Sequence, residues 1–403
     1  MIKAVLLDLD DTLLRTNTDA FVQRYVRLLI EKAASVFTSH NPDQLSRALR
    51  QAVGLVLQNT DPTTSNVQLA TNYFSEQTGI TAQEWITFQQ KFHQDAYLSL
   101  GALVSPIPTA RVLVERLQAM GLAVIVATNP IFLQAAIMQR LRWGNLVDLP
   151  FALITHAENM HFTKPNPHYY EEILARVGVE ADEAIMVGDN VASDIVPARA
   201  AGLNTFWINE WSAPTTDPVQ ADGHGTLAAF EQLVAAGGLS RLQPLPHTPE
   251  QVIPRMVGNI GALHGLVDTI KPEYWHMRPD PNEWSPLEIV VHLRDSERLV
   301  QRPRLQRIAT EENPFISPPK TPPAPGESDL SHEEGAQALA QLWEERCQTI
   351  TYLSELDTAA WARPARHSIF GPTTLLEMAH FTTRHDHLHI NQLCQTVGRC
   401  AQQ

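Results

Sequence analysis

Three carboxylates and a hydroxyl, Asp8, Asp10, Asp11 and Thr12, stand at the end of an apolar run from Ile2 to Leu7 that only Lys3 interrupts. A short, nearly continuous apolar run reads as a buried strand. Negative charge massed at the end of such a strand is costly unless a cation neutralises it. Mg2+, a hard cation that takes oxygen ligands, fits that need. Alternation along an extended chain puts Asp8 and Asp10 on the same side.

The elements that must position these groups repeat along the chain. Short apolar runs at 2–9, 122–127, 184–188 and 204–208, with 150–154 as a further candidate, each end in polar or small residues. Helical patterns such as Arg111–Met120 and Tyr169–Val177 separate them. Strands alternating with helices predict a doubly wound α/β domain with a parallel sheet. Residues 16–100 break the rhythm: they hold amphipathic stretches such as Phe21–Phe37 and Leu45–Leu57 and no clear strand, which predicts a helical insertion after strand one.

Ligands of open α/β sheets sit at the carboxyl ends of the strands. Strand one offers Asp8 and Asp10. The run Ala123–Val126 leads to Ala127-Thr128-Asn129, and the run Ala184–Val187 leads to Gly188-Asp189-Asn190, with Asp194 a turn later. Lys164 lies in Phe162-Thr163-Lys164-Pro165-Asn166-Pro167. Carboxylates, a hydroxyl and a lysine are thus expected at one sheet edge.

These residues and their order resemble the haloacid dehalogenase-like hydrolase superfamily over roughly residues 1–236. The resemblance implies a core made of residues 1–15 and 101–236 and a helical cap at 16–100. It implies that Asp8 attacks phosphorus to form an aspartyl phosphate. Asp10 then serves as acid and afterwards as base. It implies further that Thr128, Asn129 and Lys164 hold phosphoryl oxygens. Asp8, the Asp10 carbonyl, Asp189 and Asp194 would hold Mg2+. Members that remove halide lack a carboxyl at the position of Asp10, so an oxygen leaving group is expected. Asp11 and Asn190 depart from the commoner Gly and from Ser or Asp. The implied activity is a Mg2+-dependent phosphatase acting on a small phosphorylated metabolite, with phosphomutase chemistry open.

Residues 237–247 read as a linker, and strand signals stop beyond it. Thr248-x-x-Gln251, Ser285-x-x-Glu288, Ser331-x-x-Glu334 and Thr374-x-x-Glu377 have the form of capping boxes. Four capped helices predict an all-α four-helix bundle over 248–403, with the Pro-rich stretch 314–325 as an extended connection. His385 and His389, four apart, share a helix face, and His292 lies on another helix amid apolar neighbours. Such a set can converge on a divalent metal. His387 faces away from it, and His387 and His380 read as ordinary core or surface histidines.

Glu283-Trp284-Ser285-Pro286 leading to His292, with His385-x-x-x-His389-x-x-Gln392, resembles the DinB-like metal-binding four-helix bundle superfamily over 248–400. The resemblance implies His292, His385 and His389 as ligands of a second divalent metal; Zn2+, Ni2+ and Fe2+ all suit imidazole. Some members of that superfamily transfer thiols, so a metal-dependent thiol transferase is an alternative activity. A non-enzymatic phosphate-ligand sensor is another. Bundles of this kind often pair, which leaves a homodimer open.

The 403 residues carry a formal net charge of −14 and no Lys/Arg block, which argues against nucleic acid or an anionic membrane as partner. No run of about 18 apolar residues occurs, and the acidic residues 8, 10 and 11 interrupt what would be the core of a signal peptide. The scattered Cys347, Cys394 and Cys400 form neither a disulfide framework nor a CxxC pair, which suits the cytoplasm.

Overall fold

The computed structural model describes residues 1–211, 219–318 and 323–402. The chain divides into two compact units, residues 1–170 with 181–245, and residues 171–180 with 246–403.

The first unit is built on β1 (Ala4–Leu7). A hairpin strand β2 (Leu14–Thr16) leads into four helices, α1 (Thr18–Val36), α2 (Pro42–Leu57), α3 (Asn66–Thr78) and α4 (Ala82–Gln94), and β3 (Val104–Pro106) leads back. Then follow α5 (Pro108–Ala119), β4 (Ala123–Val126), α6 (Gln134–Trp143), β5 (Leu153–Ile154) and the start of α7 (Pro167–Val177). β6 (Ala184–Gly188), α8 (Val196–Ala200), β7 (Asn204–Ile208), β8 (Gly223–Gly225) and α9 (Leu227–Ala235) complete it.

Six strands form one parallel sheet in the order β5-β4-β1-β6-β7-β8. Every residue of β1 and β6 is buried, as continuous apolar runs in a doubly covered sheet should be. The register positions the chemistry. Leu7 pairs with Val126 on one side and with Val187 on the other. The residues after these three strands therefore emerge side by side at one sheet edge.

β2 and β3 pair antiparallel and bring together the entry and exit of the helical insertion. Polar caps start its helices: Asn17 for α1, Ser65 with Gln68 for α3, and Thr81 with Glu84 for α4. Aromatic packing holds it, with Phe74 stacked on Trp85 at 3.9 Å.

In the second unit, α10 (Pro249–Val267), α11 (Pro286–Ser296), α13 (Gly335–Ser354) and α14 (Leu375–Cys400) form the bundle. α10 and α11 each pack against both α13 and α14. A π turn at Glu297–Gln301 carries α11 on into α12 (Arg302–Thr310). Three of the four predicted starts hold: Gln251 accepts from Thr248, Glu288 from Ser285, and Glu377 from Thr374, at 3.1, 2.8 and 2.9 Å. The fourth does not. α13 begins at Gly335 after an uncapped Glu334, because Ser331 is engaged with Asp329 in a turn of its own.

Helices dominate this unit, but it also holds a small sheet of β9 (Phe315–Ile316), β10 (Pro364–His367) and β11 (Gly371–Thr374). β9 falls within the predicted connection 314–325, of which residues 319–322 lie outside the described residues. Among the described residues no helix is long and apolar enough to cross a membrane.

Candidate active site and metal centre

At the sheet edge, Asp8 follows β1 and its backbone N–H donates to Val187 O at 2.9 Å, which locks it beside β6. Oxygens of Asp8, Asp189 and Asp194 lie within 4.8 Å of one another. Lys164 reaches into this cluster: its Nζ donates to Asp8 Oδ1 at 2.7 Å and to Asp194 Oδ1 at 2.6 Å. The lysine is buried, and burial alone would lower its pKa. The charges of Asp194 and Asp8 outweigh that and hold it protonated.

One ammonium does not neutralise three carboxylates. Burial, with the charges of Asp8 and Asp194, pushes Asp189 up to about 8. Asp194 is pushed up to about 6 by burial, with Lys164 opposing. Asp189 is thereby biased toward a proton that a dication could replace, and an all-oxygen, carboxylate-rich donor set fits Mg2+.

Local chemistry explains how each group is held. Asn190 Oδ1 accepts from the N–H groups of Ala192 and Ser193, both at 3.0 Å, and so caps the π turn that carries Asp194. Asn caps as well as Asp or Ser does, so the departure at this position costs nothing. A Cβ on Gly188 would collide with the Asp194 carboxylate, so that position must lack one. Asp11 takes a φ of 54°, a left-handed conformation that Asp tolerates better than most residues. Its Oδ1 accepts from Thr16 N at 3.0 Å and pairs with Arg15.

Thr128 and Asn129 follow β4 at the same edge, and Asn129 Oδ1 is buried without a protein partner. Thr128 is anchored through its carbonyl, which accepts from Thr155 Oγ1 at 2.7 Å and from Tyr169 OH at 2.8 Å. Tyr170 OH donates to Ser193 O, and Trp207 Nε1 donates to Asp189 O at 2.9 Å. None of these supports had a motif to announce it.

Asp10 stands apart from the triad. Its side chain pairs with Arg140 of α6, and burial raises its pKa while Arg140 opposes the rise. A signal for Arg140 was present in the sequence. α6 buries Ala136, Ile137, Arg140 and Leu141, so the arginine occupies a place on the apolar stripe.

In the second unit, ligand atoms of His292, His385 and His389 lie within 4.8 Å of one another. Nε2 of His292 and of His385 are 3.4 Å apart, a separation two imidazoles tolerate when at most one bears the proton there. Gln392 Oε1 lies 2.8 Å from His389 Nδ1 and accepts a hydrogen bond from its N–H, leaving the Nε2 lone pair for a metal. Trp284 packs against His292 and His389 at 4.7 and 5.9 Å. Burial, reinforced by the neighbouring rings, lowers His292 to about 3. Burial likewise lowers His385 to about 4. Neutral imidazoles are the form that binds metal.

His380 and His387 stay outside this group. His380 packs on His247 at 4.2 Å, with Nε2 3.3 Å from Thr248 O, and His387 Nδ1 lies 3.4 Å from Arg255.

Comparison with known proteins gives two family matches: haloacid dehalogenase-like hydrolase over residues 2–202 and the DinB superfamily over residues 256–393. A glyceraldehyde 3-phosphate phosphatase of Methanothermobacter thermautotrophicus is 27% identical over 229 residues, 55% of this chain and 93% of that protein. The pyrophosphatase PpaX of Bacillus cereus is 26% identical over 209 residues, 52% of this chain and 83% of that protein. A HAD phosphatase structure from Thermococcus onnurineus, 20% identical, covers 58% of this chain and 98% of its own, with a TM-score of 0.39.

Proposed function

We propose that this chain, which belongs over residues 2–202 to the haloacid dehalogenase-like hydrolases and over residues 256–393 to the DinB superfamily, is a phosphatase for a small phosphorylated metabolite. One observation carries the reading: a buried lysine spans Asp8 and Asp194, at 2.7 and 2.6 Å, inside a carboxylate triad at the strand ends. The relatives named as a phosphatase and a pyrophosphatase support it.

Asp8 is the nucleophile. One of its oxygens forms a bond to phosphorus while the bond from phosphorus to the leaving oxygen breaks. Asp10 gives that oxygen its proton, then takes one from the water that releases phosphate from Asp8. Lys164, Thr128 and Asn129 hold the phosphoryl oxygens. Asp8, the Asp10 carbonyl, Asp189 and Asp194 would hold Mg2+, which when bound would screen the nucleophile from an anionic substrate.

Residues 1–15 and 101–236 are the catalytic core, 16–100 the cap that selects substrate, and 248–403 the bundle. With no disulfide among the described residues Cys347, Cys394 and Cys400, a reducing cytoplasm suits the chain. The test is a phosphomonoester panel with Mg2+. Wild type should release phosphate from at least one compound and Asp8→Asn from none; activity that survives in Asp8→Asn refutes the nucleophile.

A second reading concerns the bundle, and the convergence of three neutral histidines favours it. His292, His385 and His389 would hold a second divalent metal, Zn2+, Ni2+ or Fe2+, which would supply a Lewis acid for a water or a thiolate. Elemental analysis should find about one such ion per wild-type chain and far less in His389→Ala. Metal-dependent thiol consumption that persists in Asp8→Asn would place a separate transferase there.

A further inference from the structure

We propose, resting on the phosphatase reading above, that Arg140 is a positioning residue that holds the Asp10 carboxyl by one oxygen and presents the other to the leaving group. Arg140 pairs with Asp10 Oδ2, while Asp10 Oδ1 is buried with no protein hydrogen bond of good geometry, the Thr16 hydroxyl being a further donor that bears on the carboxyl. The two oxygens of one carboxyl are thus engaged differently, one fixed by Arg140 and the other left without that anchor.

Two aromatic rings pack close to the guanidinium. Its side chain is 1% exposed, with the Phe21 ring centred 4.7 Å from Cζ and the Phe132 ring 5.3 Å away. Tyr97 and Trp143 pack on Phe21 at 6.2 and 6.4 Å and on each other at 5.2 Å. Aromatic rings packed against an arginine limit its rotation.

The molecule therefore uses two buried cations for two tasks. Lys164 serves Asp8 and Asp194, and Arg140 serves Asp10. Packing alone does not call for the second one. The rest of the α6 stripe is Ala136, Ile137 and Leu141, and an apolar residue at 140 would avoid the cost of desolvating a charge.

The test exploits leaving-group chemistry. p-Nitrophenolate leaves without a proton, and an alkoxide does not. kcat/KM reports only the steps up to transfer of the phosphoryl group to the enzyme, so the common release of phosphate drops out. Arg140→Met should lose about 10²-fold in kcat/KM on the best alkyl phosphomonoester of the panel, the cost of a misplaced catalytic group. On p-nitrophenyl phosphate it should lose less than about tenfold, since general-acid help is not needed there.

Arg140→Lys, which keeps the charge without the fork, should show the same bias between substrates to a smaller degree. It serves in place of Arg140→Met if that variant does not fold. Adding Arg140→Met to Asp10→Asn should lower the alkyl-ester rate no further. Equal losses on both substrates, or losses that multiply in the double variant, would overturn the proposal and leave Arg140 a structural residue. A wild type that cleaves no alkyl ester would overturn the phosphatase reading instead, and Arg140's role with it.

Discussion

Lys164→Met removes the ammonium from the carboxylate cluster while keeping most of the side-chain volume. The lysine sits 2.7 Å from Asp8 and 2.6 Å from Asp194, with a side chain only 2% exposed. At an effective dielectric of about 20, each contact represents roughly 6 kcal/mol of gross attraction. Desolvation offsets much of this, and removing one partner of a buried pair costs about 3–5 kcal/mol net. In a unit of this size each kcal/mol moves the melting temperature by about 2–4 °C, so the variant should melt roughly 6–20 °C below wild type in chelator. Mg2+ should restore part of the loss. A ligand at a hundredfold excess over its Kd adds about 2.7 kcal/mol, and the variant, with more uncompensated charge, should gain more than wild type. Calorimetry of both proteins in EDTA and in saturating Mg2+ makes the measurement. Equal melting temperatures in EDTA, or a variant indifferent to Mg2+, would refute the idea that these carboxylates are balanced by cations.

Two further outcomes are expected. Gly188→Ala places a Cβ against the Asp194 carboxylate, so it should cut kcat by at least about 10²-fold while the protein stays folded at low temperature; circular dichroism beside the phosphatase assay checks both. The pH dependence of metal-free stability follows from Asp189, which burial and its acidic neighbours push up to about 8. The folded state then binds a proton that the unfolded state has released, so stability should fall as pH rises from about 4 to about 8. Saturating Mg2+ should displace that proton and abolish the decline. Urea midpoints across this range with and without Mg2+ decide it, and identical slopes would remove the carboxylates as its cause.

Much of this molecule could be read locally. Apolar runs that end in Asp8, Thr128 and Asp189 became neighbouring strand ends because continuous burial selects a parallel sheet, whose register aligns those ends. Three of four capping boxes started helices for the same local reason: a side chain within three residues satisfies an orphan N–H. The fourth failed at Ser331 because Asp329, two residues away, competed for the same hydroxyl. The histidines of α14 could be placed on faces by their spacing, and the ring set of His292, His385 and His389 followed.

By itself the amino-acid order determined the alternation of strands and helices and the residue types offered at each strand end. Only the tertiary structure decided which cation meets which acid. Lys164 finds Asp8 across 156 residues of chain, and Arg140 takes Asp10 rather than the triad. Helix and strand periods are set by backbone geometry within a few residues. Partner choice between distant charges depends on how packed elements share a low-dielectric interior, where angstroms of separation set the energy.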